Sequence, residues 1–232
     1  MNESELSQEN HPPNHDTDTA DFRLRNTPEE ALLLQKVKWV AALVVYPRYR
    51  PLSTQKTIID GVPAHTVPEA GYCLAASAYM VVSYWQKRTH FSPVLPAYED
   101  FRKIFPRSDI LLATPPNKIY DHLRKVEQTQ NVRVRHLTGN DVSTLEFRVR
   151  EKSPPIVLFD CLHYHQRSPL SKSSHATVIV GYTNELLLAN NPVFGAEYPY
   201  EKRRFVEAWA RRGMRYILIT PTESLARYMG TK

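Results

Sequence analysis

The chain carries a thiol, an imidazole and an amide in an order that could support nucleophilic catalysis. Cys73 begins an apolar run, His175 begins a second one, and Asn191 lies just before a proline. A thiol is a strong nucleophile only as the thiolate, which a nearby imidazole and a helix N-terminus favour. An amide beyond the imidazole would fix the orientation and tautomer of the ring. The three residues are far apart in the sequence, so only the fold can bring them together.

The segment that follows Cys73 is expected to be a buried helix. Residues 73–84 are apolar or small at nearly every position, and a helix that is apolar on all faces must be buried. Cys73 would then lie at the start of this helix. Unsatisfied N–H groups and the helix dipole stabilise an anion at that end.

The remaining pattern predicts an α+β domain. A mainly helical first half followed by a strand-rich second half is typical of that class. Residues 55–67 are expected to form two short strands around an Asp-Gly turn. Further helices are predicted near 28–44, 97–105, 115–127, 141–151 and 203–211, and strands near 131–137, 155–160, 175–182, 186–189 and 214–220.

Charge is divided unevenly along the chain. Residues 1–26 carry a net charge of −4 and little apolar content, so they are expected to form a disordered acidic tail. Residues 27–232 are expected to form one domain, which carries the remaining +10. No dense block of Lys and Arg interleaved with aromatics occurs, so no nucleic-acid partner is expected.

The sequence shows no transmembrane or secretory pattern. The first 22 residues lack the basic and apolar regions of a secretory signal. The longest apolar stretch, 31–46, contains Gln35, Lys36 and Lys38 and is too short and too charged for a clean membrane span. It is expected to be a core helix, with an amphipathic surface anchor as the alternative. A cytoplasmic location is therefore expected.

Cysteine and histidine spacing gives little support for a metal site. Two cysteines do not form a disulfide framework. If the chain continues as a strand, Cys161, His163 and His165 share one face. A zinc site would need further ligands, so these residues are expected to line the segment leading to His175. No metal and no cofactor are expected.

Four segments together resemble the papain-like cysteine peptidases. The resemblance is closest to the C39-like branch, which includes bacteriocin-leader-processing peptidases. It covers about residues 67–220 and implies a papain-like fold, in which a Cys-bearing helix packs on a twisted, mostly antiparallel sheet. The segments are GYCLAASAYMVVSYW, PPIVLFD, HATVIVGYTNELLLANNP and FVEAWARRGMRYILIT.

The resemblance assigns a role to each residue of the constellation. Cys73 matches the nucleophile and His175 matches the general base. Asn191 matches the position that orients the imidazole, where this branch usually has Asp. Asn190 is the neighbouring candidate for that position, and Tyr72 is expected to contribute to the core or the groove wall.

Two departures from the family pattern concern the groove around the thiol. The family usually has a Gln five or six residues before the Cys, and these positions are Pro68 and Val67. The nearest polar side chain is Glu69, whose carboxylate would repel an oxyanion. Loss of one oxyanion donor typically costs about 2.7–4 kcal/mol of transition-state stabilisation. Leu74 replaces the usual Gly and would narrow the groove.

The sequence therefore predicts a cysteine peptidase-like hydrolase. Its substrate would be a peptide or protein, cleaved at an amide bond through a thioester on Cys73, with His175 as general base. Two alternatives stay open. An amine acceptor would make the protein a transglutaminase-like acyltransferase, and the two departures favour a non-catalytic module that binds a peptide or partner. The pattern does not specify an oligomeric state.

Overall fold

A computed structural model describes residues 55–67, 71–89, 94–105, 116–165 and 174–222. The expected acidic tail and the helix expected near 28–44 lie outside these residues. The helices are α1 (Cys73–Thr89), α2 (Tyr98–Phe101, continued by a 3-10 turn at Arg102–Ile104), α3 (Pro116–Gln130), α4 (Val142–Arg150), α5 (Cys161–Tyr164) and α6 (Lys202–Ala210). The strands are β1 (Thr57–Ile58), β2 (Val132–Thr138), β3 (Ile156–Asp160), β4 (Ser174–Tyr182), β5 (Leu186–Asn191), β6 (Gly195–Glu201) and β7 (Arg215–Pro221).

The strands of the described residues form one antiparallel sheet. Six of them lie in the order β2-β7-β3-β4-β5-β6, and β1 pairs with β4. Helix α1 packs on β4 and β7, and α6 packs on β3. The fold is α+β with a Cys-bearing helix on a mostly antiparallel sheet, which confirms the predicted fold class.

Helix α1 is fixed by its entry turn and by its far end. Gly71 has φ +91°, a conformation that favours glycine, and so turns the chain into the helix. The Tyr72 carbonyl accepts the first helical hydrogen bond from the Ala76 N–H at 2.9 Å. At the other end the indole of Trp85 donates to the Ile219 carbonyl of β7 at 2.6 Å. The helix that begins at Cys73 is therefore held against the sheet at a defined position.

An aromatic cluster fills the space between the sheet and α6. The rings of Phe159, Tyr200 and Phe205 lie 5.0–5.3 Å from one another, within the range of favourable aromatic pairs. All three side chains are fully buried. Phe159 also contacts the His175 ring edge-on at 5.6 Å, so the cluster supports the imidazole from the side.

Two local expectations are wrong, and one strand was not predicted. The turn at Asp60 and Gly61 is present, but residues 59–67 form no strand, because β1 pairs with β4 instead of forming a hairpin. Residues 161–164 form α5 instead of continuing the strand, since the Asp160 carboxylate accepts from the His163 N–H at 3.2 Å and caps that helix. The shared strand face expected for Cys161, His163 and His165 is therefore absent. Strand β6 was not predicted.

Candidate active site

Three separate elements place the predicted catalytic residues at one location. Cys73 is the first residue of α1, His175 is the second residue of β4, and Asn191 is the last residue of β5. Strands β4 and β5 pair directly, and α1 packs on β4. The imidazole and the amide therefore come from adjacent strands, and the thiol comes from the helix packed on the strand that carries the imidazole.

The sulfur of Cys73 lies against the backbone of the residue that follows His175. Burial raises the pKa of the Cys73 thiol, and hydrogen bonds from the backbone N–H groups of Ala176, Leu74 and Cys73 itself partly offset that rise. Two of these donors belong to the start of α1, where free N–H groups are expected. The residue as a whole is half-buried. At neutral pH the thiol is protonated.

The contact between His175 and Asn191 fixes the tautomer of the imidazole. His175 Nε2 lies 3.3 Å from Asn191 Oδ1. The same oxygen accepts from the Val193 N–H at 2.7 Å and the Phe194 N–H at 3.2 Å. Two backbone donors identify this atom as the amide oxygen, which only accepts hydrogen bonds. Nε2 therefore carries the ring proton, and Nδ1 is the basic nitrogen.

A tyrosine holds the other end of the Asn191 amide. Asn191 Nδ2 donates to the Tyr200 hydroxyl. Burial raises the pKa of Tyr200 well above its ordinary value, so the phenol stays protonated. Tyr200 and Asn191 are both fully buried, which leaves the amide little freedom to rotate. Sequence reasoning missed Tyr200, because an aromatic residue in an alternating strand gives no signal of such a role.

The imidazole is uncharged in the resting protein. Burial lowers the pKa of His175 to about 4, the bond to Asn191 opposes this change, and the charge of His165 adds to it. A neutral imidazole and a neutral thiol differ from a preformed thiolate–imidazolium pair.

The neighbouring residues named from the sequence have different positions. The Asn190 side chain makes contacts away from His175. Its amide donates to the Val62 carbonyl at 3.0 Å and accepts from the Glu197 N–H at 3.2 Å. Tyr72 lies under Arg102, whose guanidinium carbon is 5.1 Å from the ring centroid. Leu74 packs against the core and reaches the sulfur through its N–H.

The segment before Cys73 lies beside the turn that follows Asn191. The Val67 N–H donates to the Pro192 carbonyl at 2.8 Å. The Val67 side chain is apolar and supplies no donor to an oxyanion. Pro68 and Glu69 lie outside the described residues.

Neither a metal centre nor a membrane span occurs in the described part of the chain. No group of three or more His, Cys, Asp or Glu residues there could hold a metal ion. No helix there combines the length and the apolar character that crossing a bilayer requires.

Burial of the neutral imidazole predicts a loss of stability in acid. The pKa of His175 is about 4 in the folded protein and about 6.5 in an unfolded chain. The unfolded state therefore binds the proton more tightly, and the contribution of His175 is complete above pH 6.5 and is lost as the pH falls towards 4. From pH 7 to pH 4.5 this loss is about 2 kcal/mol.

Urea unfolding of His175→Gln at both pH values measures this contribution. The variant should lose about 2 kcal/mol less between pH 7 and pH 4.5 than the wild type does. Burial also lowers the pKa of His136 to about 4. His136→Gln is therefore the matched comparison, which shows how much of the loss of stability in acid comes from this second histidine. An unchanged pH dependence in His175→Gln would contradict the neutral, buried state of this ring.

Replacing the orienting amide by a carboxylate should raise the pKa of the imidazole. In Asn191→Asp, one oxygen keeps the Val193 and Phe194 donors and the other can accept from the Tyr200 hydroxyl. An opposite charge at this distance should raise the pKa of His175 by about 1–3 units. An NMR titration of the imidazole signals measures the change. Asn190→Asp is the control, because its side chain binds Val62 and Glu197 instead, and an equal shift there would disprove the assignment.

Comparisons with known proteins bear on the family and the fold of this chain. The model of the Peptidase_C39 like family matches residues 50–217. A C39-like peptidase from Bacillus anthracis has a similar crystal structure, with a TM-score of 0.52 and 15% identity over 72% of this chain and 98% of that one. This likeness concerns the fold. No curated protein matches the sequence.

Two further solved structures are similar at a lower level. A double glycine motif protease from an AMS/PCAT transporter, solved in complex with the leader peptide, has a TM-score of 0.49 and 16% identity over 75% of this chain and all of that one. The peptidase domain of Streptococcus ComA has a TM-score of 0.47 and 17% identity over 69% of this chain and 99% of that one. Because the family model spans well over half of the sequence, the chain belongs to the Peptidase_C39 like family.

Proposed function

We propose that the protein is a cysteine peptidase that cleaves a peptide bond through a thioester on Cys73. His175 is the general base and Asn191 is the residue that positions it. One observation supports this most directly: the sulfur of Cys73 accepts from the N–H of Ala176, the residue after His175, and Nε2 of His175 lies 3.3 Å from the Asn191 oxygen. A thiol, a base and an orienting group then stand in catalytic order.

The reaction proceeds in two acyl transfers. The sulfur attacks the carbonyl carbon of the substrate while His175 Nδ1 takes the thiol proton. The C–N bond then breaks, and Nδ1–H gives this proton to the leaving amine, which leaves a thioester. In the second half Nδ1 takes a proton from water, the resulting hydroxide attacks the thioester, and the sulfur recovers its proton as the carboxylic acid is released.

The groups around Cys73 and His175 determine how strongly the charged species of the reaction are stabilised. The imidazolium that forms during attack is stabilised by the dipole of the Asn191 amide, without the full charge that a carboxylate would supply. Among the described residues before Cys73, Val67 offers the tetrahedral oxyanion no side-chain donor, so backbone N–H groups at the start of α1 are its candidate donors. Loss of one such donor costs about 2.7–4 kcal/mol. We therefore expect slow turnover on generic peptides.

A peptide library analysed by mass spectrometry tests the activity directly. Cys73→Ala and His175→Ala should each reduce cleavage by at least about 10³-fold, and Asn191→Ala should reduce it by roughly 10–100-fold through loss of ring orientation. Cys161→Ala is the control, since this second thiol is buried and its removal should leave cleavage unchanged. Product masses with and without an added amine separate hydrolysis from amide formation. Cleavage that survives in Cys73→Ala would refute the proposal.

A non-catalytic peptide-binding module is the second candidate, and the resting protonation states favour it. Burial raises the pKa of Cys73 and lowers that of His175 to about 4, so the free protein holds no thiolate. A module that only binds peptides would need neither charge. The two candidates differ in whether His175 assists the sulfur.

Alkylation kinetics distinguish the two candidates. In a Cys161→Ser background, iodoacetamide labelling of Cys73 should be slow at pH 6 and rise with pH beyond the ordinary thiol range, because the pKa of the thiol is raised. For a peptidase, His175→Ala should slow labelling at pH 7.5 by about 10-fold, since general-base assistance is lost. A labelling rate that is the same in His175→Ala as in the parent protein would favour the binding module.

A further inference from the structure

A cavity of about 300 Å³ opens at the end of the sheet, between α3 and strands β2, β7, β3 and β4. Its wall combines cationic, hydroxyl and aliphatic groups. The residues that define its character are Arg212, Arg215, Ser174, Thr138, His136 and Leu158. We refer to this cavity as the arginine pocket.

The arginine pocket adjoins the catalytic residues through the backbone of β4. Ser174 immediately precedes His175, and Leu158 is the cross-strand partner of Ala176, whose N–H reaches the sulfur of Cys73. Arg215 begins β7, which is two strands away from β4 in the sheet order. Two interstrand spacings amount to about 10 Å, the length of about three residues of extended peptide.

Arg212 contributes a guanidinium to the wall of this pocket. Its Nε and Nη2 atoms are enclosed and have no hydrogen-bond partner in the described part of the chain. The nearby carboxylate of Asp160 is bound by Arg211 instead, at 3.1 Å. Burial lowers the pKa of Arg212, and the nearby negative charge of Asp160 opposes this change. Nε and one Nη together form the edge that binds a carboxylate with two parallel hydrogen bonds.

The rest of the lining fits an anion on an aliphatic stem. The described residues of the wall include two arginines and no Asp or Glu. The hydroxyl groups of Ser174 and Thr138 add neutral donors. Leu158 and Ile217 provide apolar surface that would contact methylene groups. Burial lowers the pKa of His136 to about 4. At neutral pH this side chain therefore adds a polar group to the wall but no charge.

We propose that the arginine pocket binds the side-chain carboxylate of an Asp or Glu in the peptide substrate, about three residues from the bond that is cleaved. This proposal deepens the proposed peptidase function and depends on it, because only a peptidase has a peptide substrate. The carboxylate pairs with the guanidinium groups of Arg212 and Arg215, the two cationic side chains of the wall. The pocket would thereby set the register of the peptide across the Cys73 site.

Binding can be tested without catalysis in the Cys73→Ala protein. The Nε–H signal of Arg212 is followed by NMR as N-acetyl-glutamate N-methylamide is added, with the glutamine analogue as the neutral match. N-acetylglycine and inorganic phosphate represent a C-terminal carboxylate and a phosphate. The glutamate probe should shift this signal and bind at least about 10-fold more tightly than the glutamine probe. Equal binding of the two probes, or tighter binding of N-acetylglycine or phosphate, would overturn the proposal.

Substitutions test the same site in the active enzyme. Peptide-library cleavage by the wild type should be enriched in Asp or Glu about three residues from the scissile bond, on one side of it. Arg212→Gln should abolish this preference and Arg212→Lys should weaken it, because lysine keeps the charge but loses the paired geometry. Arg203→Gln removes an exposed arginine at the start of α6 and should leave the preference intact.

The binding experiment and the cleavage experiment together show which of the two proposals is wrong if one of them fails. If no peptide is cleaved but the glutamate probe still binds at Arg212, the peptidase proposal fails while carboxylate recognition stands. If peptides are cleaved with no acidic preference, or with one that survives Arg212→Gln, the arginine pocket proposal fails alone. Circular dichroism of each variant confirms folding, and Arg212→Lys supplies the answer if Arg212→Gln does not fold.

Discussion

The site depends on one oxygen atom, Oδ1 of Asn191. It receives the backbone N–H groups of Val193 and Phe194, which turn the chain after β5, and it faces Nε2 of His175. Because an amide oxygen cannot donate, this arrangement decides which ring nitrogen holds the proton and which is basic. The same turn carries the Pro192 carbonyl, which binds the Val67 N–H of the segment leading to Cys73. A local turn thus links the orienting group to the chain that enters the nucleophile helix.

Desolvation is the force that opposes this arrangement. It acts on both reactive groups in the direction that removes charge, since it raises the pKa of the thiol and lowers that of the imidazole. Backbone donors at the start of α1 and the Asn191 dipole favour the charged forms, but in the resting protein burial outweighs them. A carboxylate in place of Asn191 would change this balance, because a full charge stabilises imidazolium far more than a dipole does. Burial therefore accounts for the neutral resting pair, and the Asn at this position offsets it less than an Asp would.

The sequence was informative where the determining interactions are local. The apolar run after Cys73 predicted α1, and the polar-to-apolar change at His175 predicted β4. It failed where the partner is distant or a side chain competes with the strand pattern. The pairing of β1 with β4 joins residues more than 120 positions apart, and the Asp160 cap converted an expected strand continuation into α5. Tyr200 and the backbone donor of Ala176 could not be identified, because an aromatic strand residue and a backbone N–H leave no mark of function in a sequence.

Strand β4 also relates the two proposed roles of the site. Successive side chains of a strand point to opposite faces, so His175 and Thr177 lie on one face of β4, and Ser174 and Ala176 on the other. The first face meets Asn191 and the aromatic cluster, which hold the imidazole. The second borders the arginine pocket through Ser174 and Leu158. A peptide bound at both sites would have to cross the N-terminal end of β4. Its backbone would then pass the sulfur of Cys73 at the point where the two faces meet.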